Sequence, residues 1–262
     1  MSAESGAQRP AGRIPRDWIE NVCRRSDLLL WDGYRSALGD EGGAWPRIMF
    51  PRKGADRRVG EQEARLAFVA ALPYGDEEAP FAVAAEVPTR LSYRFAGPDR
   101  GAKAQRASSD LAIFPGGADE PALTVAFKSG GRSGRSEKDE TIRQDVAVIL
   151  AEEPDALWFH VVGGATQATL HGILRTLDEA ISHLSNPYRL SGYLARGKAV
   201  EPRAKAITFH LCILNPDVTM SIHRTLDYVP GRPQDEFFDI ATSAPAAALE
   251  IADGQGWVVH RR

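Results

Sequence analysis

Apolar positions in this chain recur at two different spacings, and the switch between them divides it into helices and strands. From Asp17 to Leu38, Trp18, Val22, Leu29, Leu30 and Tyr34 recur at mixed three- and four-residue intervals, which predicts a helix. Gly60 to Leu72 predicts a shorter amphipathic helix, with Leu66, Val69 and Leu72 on one side and Glu61, Glu63 and Arg65 elsewhere. The period then falls to two. Phe81–Val87 is an apolar run ending near Glu86, and Arg90–Phe95 alternates as its expected hairpin partner. Ser109–Phe114 and Leu123–Lys128 are two further short strands around a PGGADEP turn. Glu137–Glu152 returns to helical spacing through Ile142, Val146 and Ile149. Leu157–Val162 reads as a buried strand, Gln167–Leu184 as a helix with Leu170, Leu174, Leu177, Ile181 and Leu184 on one face, and Ala206–Leu214 as another strand.

The order is helices, a β-meander, then helix–strand–helix–strand. It predicts an α/β fold with a mixed central β-sheet flanked by helices. Four segments are expected: a Gly/Ala/Ser/Pro leader over residues 1–14, an N-terminal helical segment over 15–59, an α/β core over 60–215, and a C-terminal extension over 216–262 packed on that core. The chain has 262 residues, 43% of them hydrophobic, enough for a buried core. Its longest apolar runs are too short for a membrane helix, so no membrane association and a cytoplasmic location are expected. Cys23 and Cys212 stand far apart, which excludes a disulfide framework and a zinc ribbon.

Charge alone points nowhere, because the net charge is −3. Its distribution is uneven. Arg47, Arg52, Lys53, Arg57 and Arg58 form one basic cluster, Arg100, Lys103 and Arg106 a second, and Lys128, Arg132 and Arg135 a third. Brought onto one face, these would suit a polyanion; left apart, they are solvated loops. Arg106, Arg132 and Arg135 are the candidate nucleic-acid contacts. The loop Gly130–Arg135 is glycine-rich but lacks the P-loop lysine.

One arrangement of residues carries chemistry. One strand, one turn and one strand separate Asp110 from Lys128, and a hairpin can bring both to the same sheet end. A carboxylate there can hold Mg²⁺ or Mn²⁺, which polarises a phosphate and activates water; the lysine positions that water or offsets transition-state charge. An acid on the preceding helix, Glu61 or Glu63, would complete the metal shell, Glu86 is a further candidate ligand, and Gln144 on the following helix would orient the site. Singly, each residue has an ordinary reading: a turn cap, a snorkelling lysine, a solvated acid.

In order and spacing, residues 60–162 resemble the PD-(D/E)XK superfamily, the restriction-endonuclease-like nucleases. The resemblance rests on a helical acid at Glu63 or Glu61, Asp110 after Ser109, the strand LTVAFK ending in Lys128, and Gln144. It implies a restriction-endonuclease-like core and a metal-dependent endonuclease hydrolysing phosphodiester bonds. DNA is the expected substrate with RNA the alternative, a homodimer is implied, and the work is restriction, repair, recombination or defence. The chain departs from the pattern at Ala126, where the family has the second metal-binding acid. Three readings stand: a dead relative that keeps the fold, an acid supplied by Glu86 or Glu63, or an introduced Glu→Ala change. The rival from another class is a non-catalytic nucleic-acid-binding or interaction protein with a nuclease-like fold.

Other signals are weaker. His160 sits in an apolar strand as a core histidine. His171, His183, His210, His223 and His260 lack metal-ligand spacing, so no histidine metal site is expected. Trp18, Trp31 and Trp45 are read as core.

Overall fold

The computed structural model describes residues 13–38, 47–53, 56–57, 59–73, 81–94, 104–116, 118–130, 136–195, 203–215, 219–230 and 258–261. Most of the expected leader, Trp45, and most of the C-terminal tail lie outside them.

Helix α1 (Arg16–Leu38) buries Ile19, Val22, Cys23, Leu30, Trp31 and Tyr34. Trp18 is only partly buried and packs edge-on against Phe81, with ring centroids 5.2 Å apart. A two-strand ribbon, β1 (Arg52–Lys53) with β2 (Asp56–Arg57), precedes α2 (Glu61–Ala71). The face that α2 buries is only partly the one the spacing suggested: Leu72 is buried and Val69 packs against the core. Ala64, Ala67, Phe68 and Ala71 are buried, whereas Leu66 is 59% exposed. The small alanines let the helix approach closely, and Phe68 meets Phe127 and Phe159 edge-on at 5.7 and 6.1 Å.

The remaining strands form one seven-stranded sheet in sequence order. They are β3 (Phe81–Tyr93), β4 (Gln105–Pro115), β5 (Leu123–Ser129), β6 (Asp155–Gly163), β7 (Lys205–Leu214), β8 (Thr219–Tyr228) and β9 (Val258–Arg261). Strands β5, β6 and β7 are parallel; every other neighbouring pair is antiparallel. Helices α3 (Ser136–Ala151) and α4 (Gln167–Leu184) make the two crossovers, and α5 (Pro187–Ser191) follows α4. The parallel strands are covered on both faces. That is why LWFHVV and AITFHLCIL read as unbroken apolar runs.

The expected hairpin between Phe81–Val87 and Arg90–Phe95 does not form. Both halves belong to β3 and pair with β4, across a register shift between Pro88 and Ser92. The irregularity is held by side chains. Glu152 accepts hydrogen bonds from the backbone N–H groups of Arg90 (2.9 Å) and Leu91 (3.0 Å) and from the Tyr93 hydroxyl (2.7 Å). Thr89 bonds both the N–H and the carbonyl of Ala107. The sheet also continues beyond residue 215. Strands β8 and β9 extend it rather than pack against it.

Two cores lie on opposite faces of this sheet. Helices α1 and α2 cover Leu111, Ile113, Val125, Phe127, Leu157, Phe159, Val161 and Cys212. Helices α3 and α4 cover Ala156, Trp158, Val162, Ile207, Phe209 and Leu211, with Ala126 against them. Among the described residues no helix is long and apolar enough to cross a membrane.

Candidate functional site

Strands β4 and β5 pair only from Ile113↔Leu123 to Leu111↔Val125. One step further, Asp110 and Ala126 face each other, and there the ladder is replaced by a side chain. Asp110 Oδ2 accepts the backbone N–H of Phe127 at 2.7 Å. The strands part at this point. They open a cavity of about 90 Å³ lined by Ser108, Asp110, Thr124, Ala126, Lys128, Asp145 and Glu152, among others. Alternation along β5 places Ala126 and Lys128 on the α3 side and Val125 and Phe127 in the opposite core.

The sequence-predicted pair therefore does converge: Asp110 and Lys128 line one cavity at one sheet end. Lys128 Nζ lies 2.7 Å from Asp145 Oδ2 and 5.7 Å from the centre of the Trp158 ring. Asp145, next to the expected Gln144, is the α3 residue that meets the lysine, a choice fixed by helix phase.

Helix phase also decides between the two acids of α2. Arg65 hydrogen-bonds Glu86 Oε1 at 2.8 Å and Asp110 Oδ1 at 3.1 Å. Glu61 lies four residues earlier and shares that face. It feels the charges of Lys128, Asp110 and Asp145 and lies by the Ser129 backbone. Glu63 lies about 200° around the helix from Glu61, at about 100° per residue, on the buried side with Ala64 and Ala67. Of the two acids the sequence offered on this helix, Glu61 is the one beside Lys128 and Asp110, and Glu63 lies on the buried side. Glu86 does come near, opposite Asp110 in the β3–β4 register, with a backbone φ of 53° that is rare outside glycine. Its carboxylate is taken by Arg65. Arg106 is exposed on β4, and Arg132 and Arg135 lie outside the described residues.

Four carboxylates (Glu61, Glu86, Asp110, Asp145) face two cations (Arg65, Lys128), and the protonation equilibria follow. Burial pushes the Lys128 ammonium down, but Asp145, Asp110 and Glu61 outweigh it and hold it above the ordinary lysine value. Burial raises Asp145 against the pull of Lys128, with Asp110 adding to the rise. Burial likewise raises Glu61, with Asp110 and Asp145 adding to it against Lys128. The surplus of negative charge suits a cation, but the donor set does not suit Mg²⁺. Both oxygens of Asp110 are engaged, by Arg65 and by Phe127 N–H, and the facing position carries only a methyl group. Among the described residues, no three of these carboxylate oxygens lie within 4.8 Å of one another.

Beside Lys128 in the β5–β6 register stands His160. Its Nε2 is 2.8 Å from the carbonyl of Gly130, and Gly130 N–H donates to Val161 at 3.0 Å. Gly130 has φ +85°, open to glycine and strained for other residues. The buried histidine thereby pins the chain just after Lys128. The reading of His160 as a core histidine holds, with this anchoring added. No family model matches the chain, and neither does any curated protein or solved structure.

Proposed function

We propose that the chain is a nuclease-like protein that engages nucleic acid, DNA above all, through a phosphodiester site lacking one of its acids. The observation that carries this reading is Ala126 facing Asp110 across the point where β4 and β5 part, with Lys128 on the same face of the same open cavity. A restriction-endonuclease-like hydrolase puts its second metal-binding acid at that position. A methyl group there leaves the carboxylate surplus without the geometry to fix Mg²⁺. Hydrolysis is absent in this form, and what remains is a fold that holds its substrate.

A second reading, a non-catalytic interaction protein, is supported by one contact. Arg65 occupies the Asp110 oxygen a metal would need. In that reading the ion-paired cluster is the finished arrangement.

Binding comes first. Fluorescence anisotropy on labelled short duplexes without metal is expected to show saturable, salt-sensitive association, weakened about threefold or more by Arg106→Ala through loss of a phosphate contact. No association at low salt, with circular dichroism showing folded protein, would remove nucleic acid as the partner.

A further inference from the structure

Histidine spacing gives no metal site in the sequence, but strand pairing makes one at the far edge of the sheet. The β8–β9 register pairs Ser221 with His260 and His223 with Val258. His223 and His260 are therefore diagonal neighbours on one sheet face. Their rings stack with centroids 5.5 Å apart and planes 20° from parallel. Helix α1 brings Glu20 to both: Oε2 is 3.8 Å from His223 Nε2, and Oε1 is 3.7 Å from His260 Nε2.

These separations are too long for hydrogen bonds. Two ligand atoms on one tetrahedral Zn²⁺, with bonds of about 2.0–2.1 Å, sit about 3.3 Å apart, so each Glu20–histidine separation must shorten by about half an ångström, with the two Glu20 oxygens each turned to one ring. One ligand atom from each residue already lies within 4.8 Å of the others. The side chain of His223 is only 9% exposed, and His260 Nε2 is buried without a hydrogen-bond partner. A buried imidazole nitrogen with no partner is a costly feature unless something binds it.

We propose that Glu20, His223 and His260 form a binding site for a first-row transition metal, Zn²⁺ or a neighbouring divalent ion, that ties α1 to the β8–β9 edge. Two imidazoles and one carboxylate select such an ion over Mg²⁺ or Ca²⁺. Arg24 opposes a cation there, while Glu20 and the buried Asp27, which holds His210 at 2.9 Å, favour one. Three protein ligands leave positions for water or a substrate atom. The site belongs to α1 and the opposite end of the sheet order from Asp110, and it is independent of the nuclease-like reading.

The test is equilibrium dialysis of the full chain against Zn²⁺ and Co²⁺, with visible spectroscopy of the Co²⁺ form. One equivalent per chain is expected, with ligand-field absorption and a rise in thermal midpoint. Glu20→Gln and His260→Gln are expected to weaken uptake more than tenfold each, while Asp110→Asn leaves it unchanged. Glu20 is 38% exposed on its side chain, so Glu20→Gln is a mild change for folding, and circular dichroism checks both variants. No uptake by the unmodified chain overturns the proposal. So does equal uptake by the folded variants, or loss only in Asp110→Asn.

Discussion

Arg65 bridges Glu86 and Asp110, and Lys128 bridges Asp145 and the aromatic face of Trp158. Neither cation is free to choose its partner without leaving an acid uncompensated in a partly buried pocket. Partial exposure limits what each pair contributes to stability, to about 1 kcal/mol or less. Their effect is positional: Asp110 is aimed along β5 and Lys128 is drawn toward α3. His160 contributes differently. Burial, offset in part by the Gly130 carbonyl and reinforced by the Lys128 charge, lowers it from 6.5 to about 4. The unfolded chain takes up that proton below about pH 6.5, whereas the native chain does so only near 4. The contribution of His160 is therefore fully present above pH 6.5 and is lost as pH falls toward 4, by up to about 3 kcal/mol. Urea midpoints measured across this window should fall steeply with acid, and His160→Gln should flatten the slope. An unchanged slope would contradict the account. Residue types in this site were readable from the sequence, but the contacts were not. Asp110 and Lys128 follow from strand order. Glu61 rather than Glu63, and Asp145 beside Gln144, follow from how two helices are rotated against the sheet, which spacing alone leaves open.

At the scale of elements, the parallel strands β6 and β7 were legible because burial on both faces demands continuous apolar runs. Strand β3 was not. Pro88 and the polar residues after it look like a turn, and what keeps the strand whole is an acid about 60 residues away in sequence, Glu152. The carboxylate is only 8% exposed by residue and accepts three hydrogen bonds. Glu152→Ala is expected to cost about 2–3 kcal/mol by leaving two backbone donors and the Tyr93 hydroxyl without a partner. Chemical denaturation reads this directly, and a loss under about 0.5 kcal/mol would mean that water replaces the carboxylate. Strand β8 escaped the sequence reading although Met220, Ile222, Leu226 and Tyr228 recur at the two-residue period of a strand; Arg224 breaks that series and the polar residues between make the segment weakly apolar. Its pairing with β9 crosses a long stretch of chain, which no local pattern reports.

Over the whole molecule, the sheet order places two chemically distinct sites at its two ends. The Asp110 end is rich in carboxylates and carries an alanine at position 126; the β8–β9 end holds imidazoles against a glutamate. In the proposed reading, this charge balance leaves metal-free binding to exposed basic residues such as Arg106, and the carboxylate cluster itself takes a phosphate only once a cation offsets it. Four acids against two bases repel a phosphodiester unless a metal or a basic loop offsets them. Position 126 is where the balance and the geometry would change together. A glutamate there would face Asp110 and reach into the adjoining cavity of about 90 Å³. The most direct measurement is cleavage of plasmid and single-stranded DNA, with Mg²⁺ and with Mn²⁺, by the unmodified chain, by Ala126→Glu, and by Ala126→Glu combined with Asp110→Ala. The account predicts no cutting by the first, metal-dependent cutting by the second, and its loss in the third. Failure of a folded Ala126→Glu protein to cut any DNA with either metal would contradict it and leave the interaction protein as the better account.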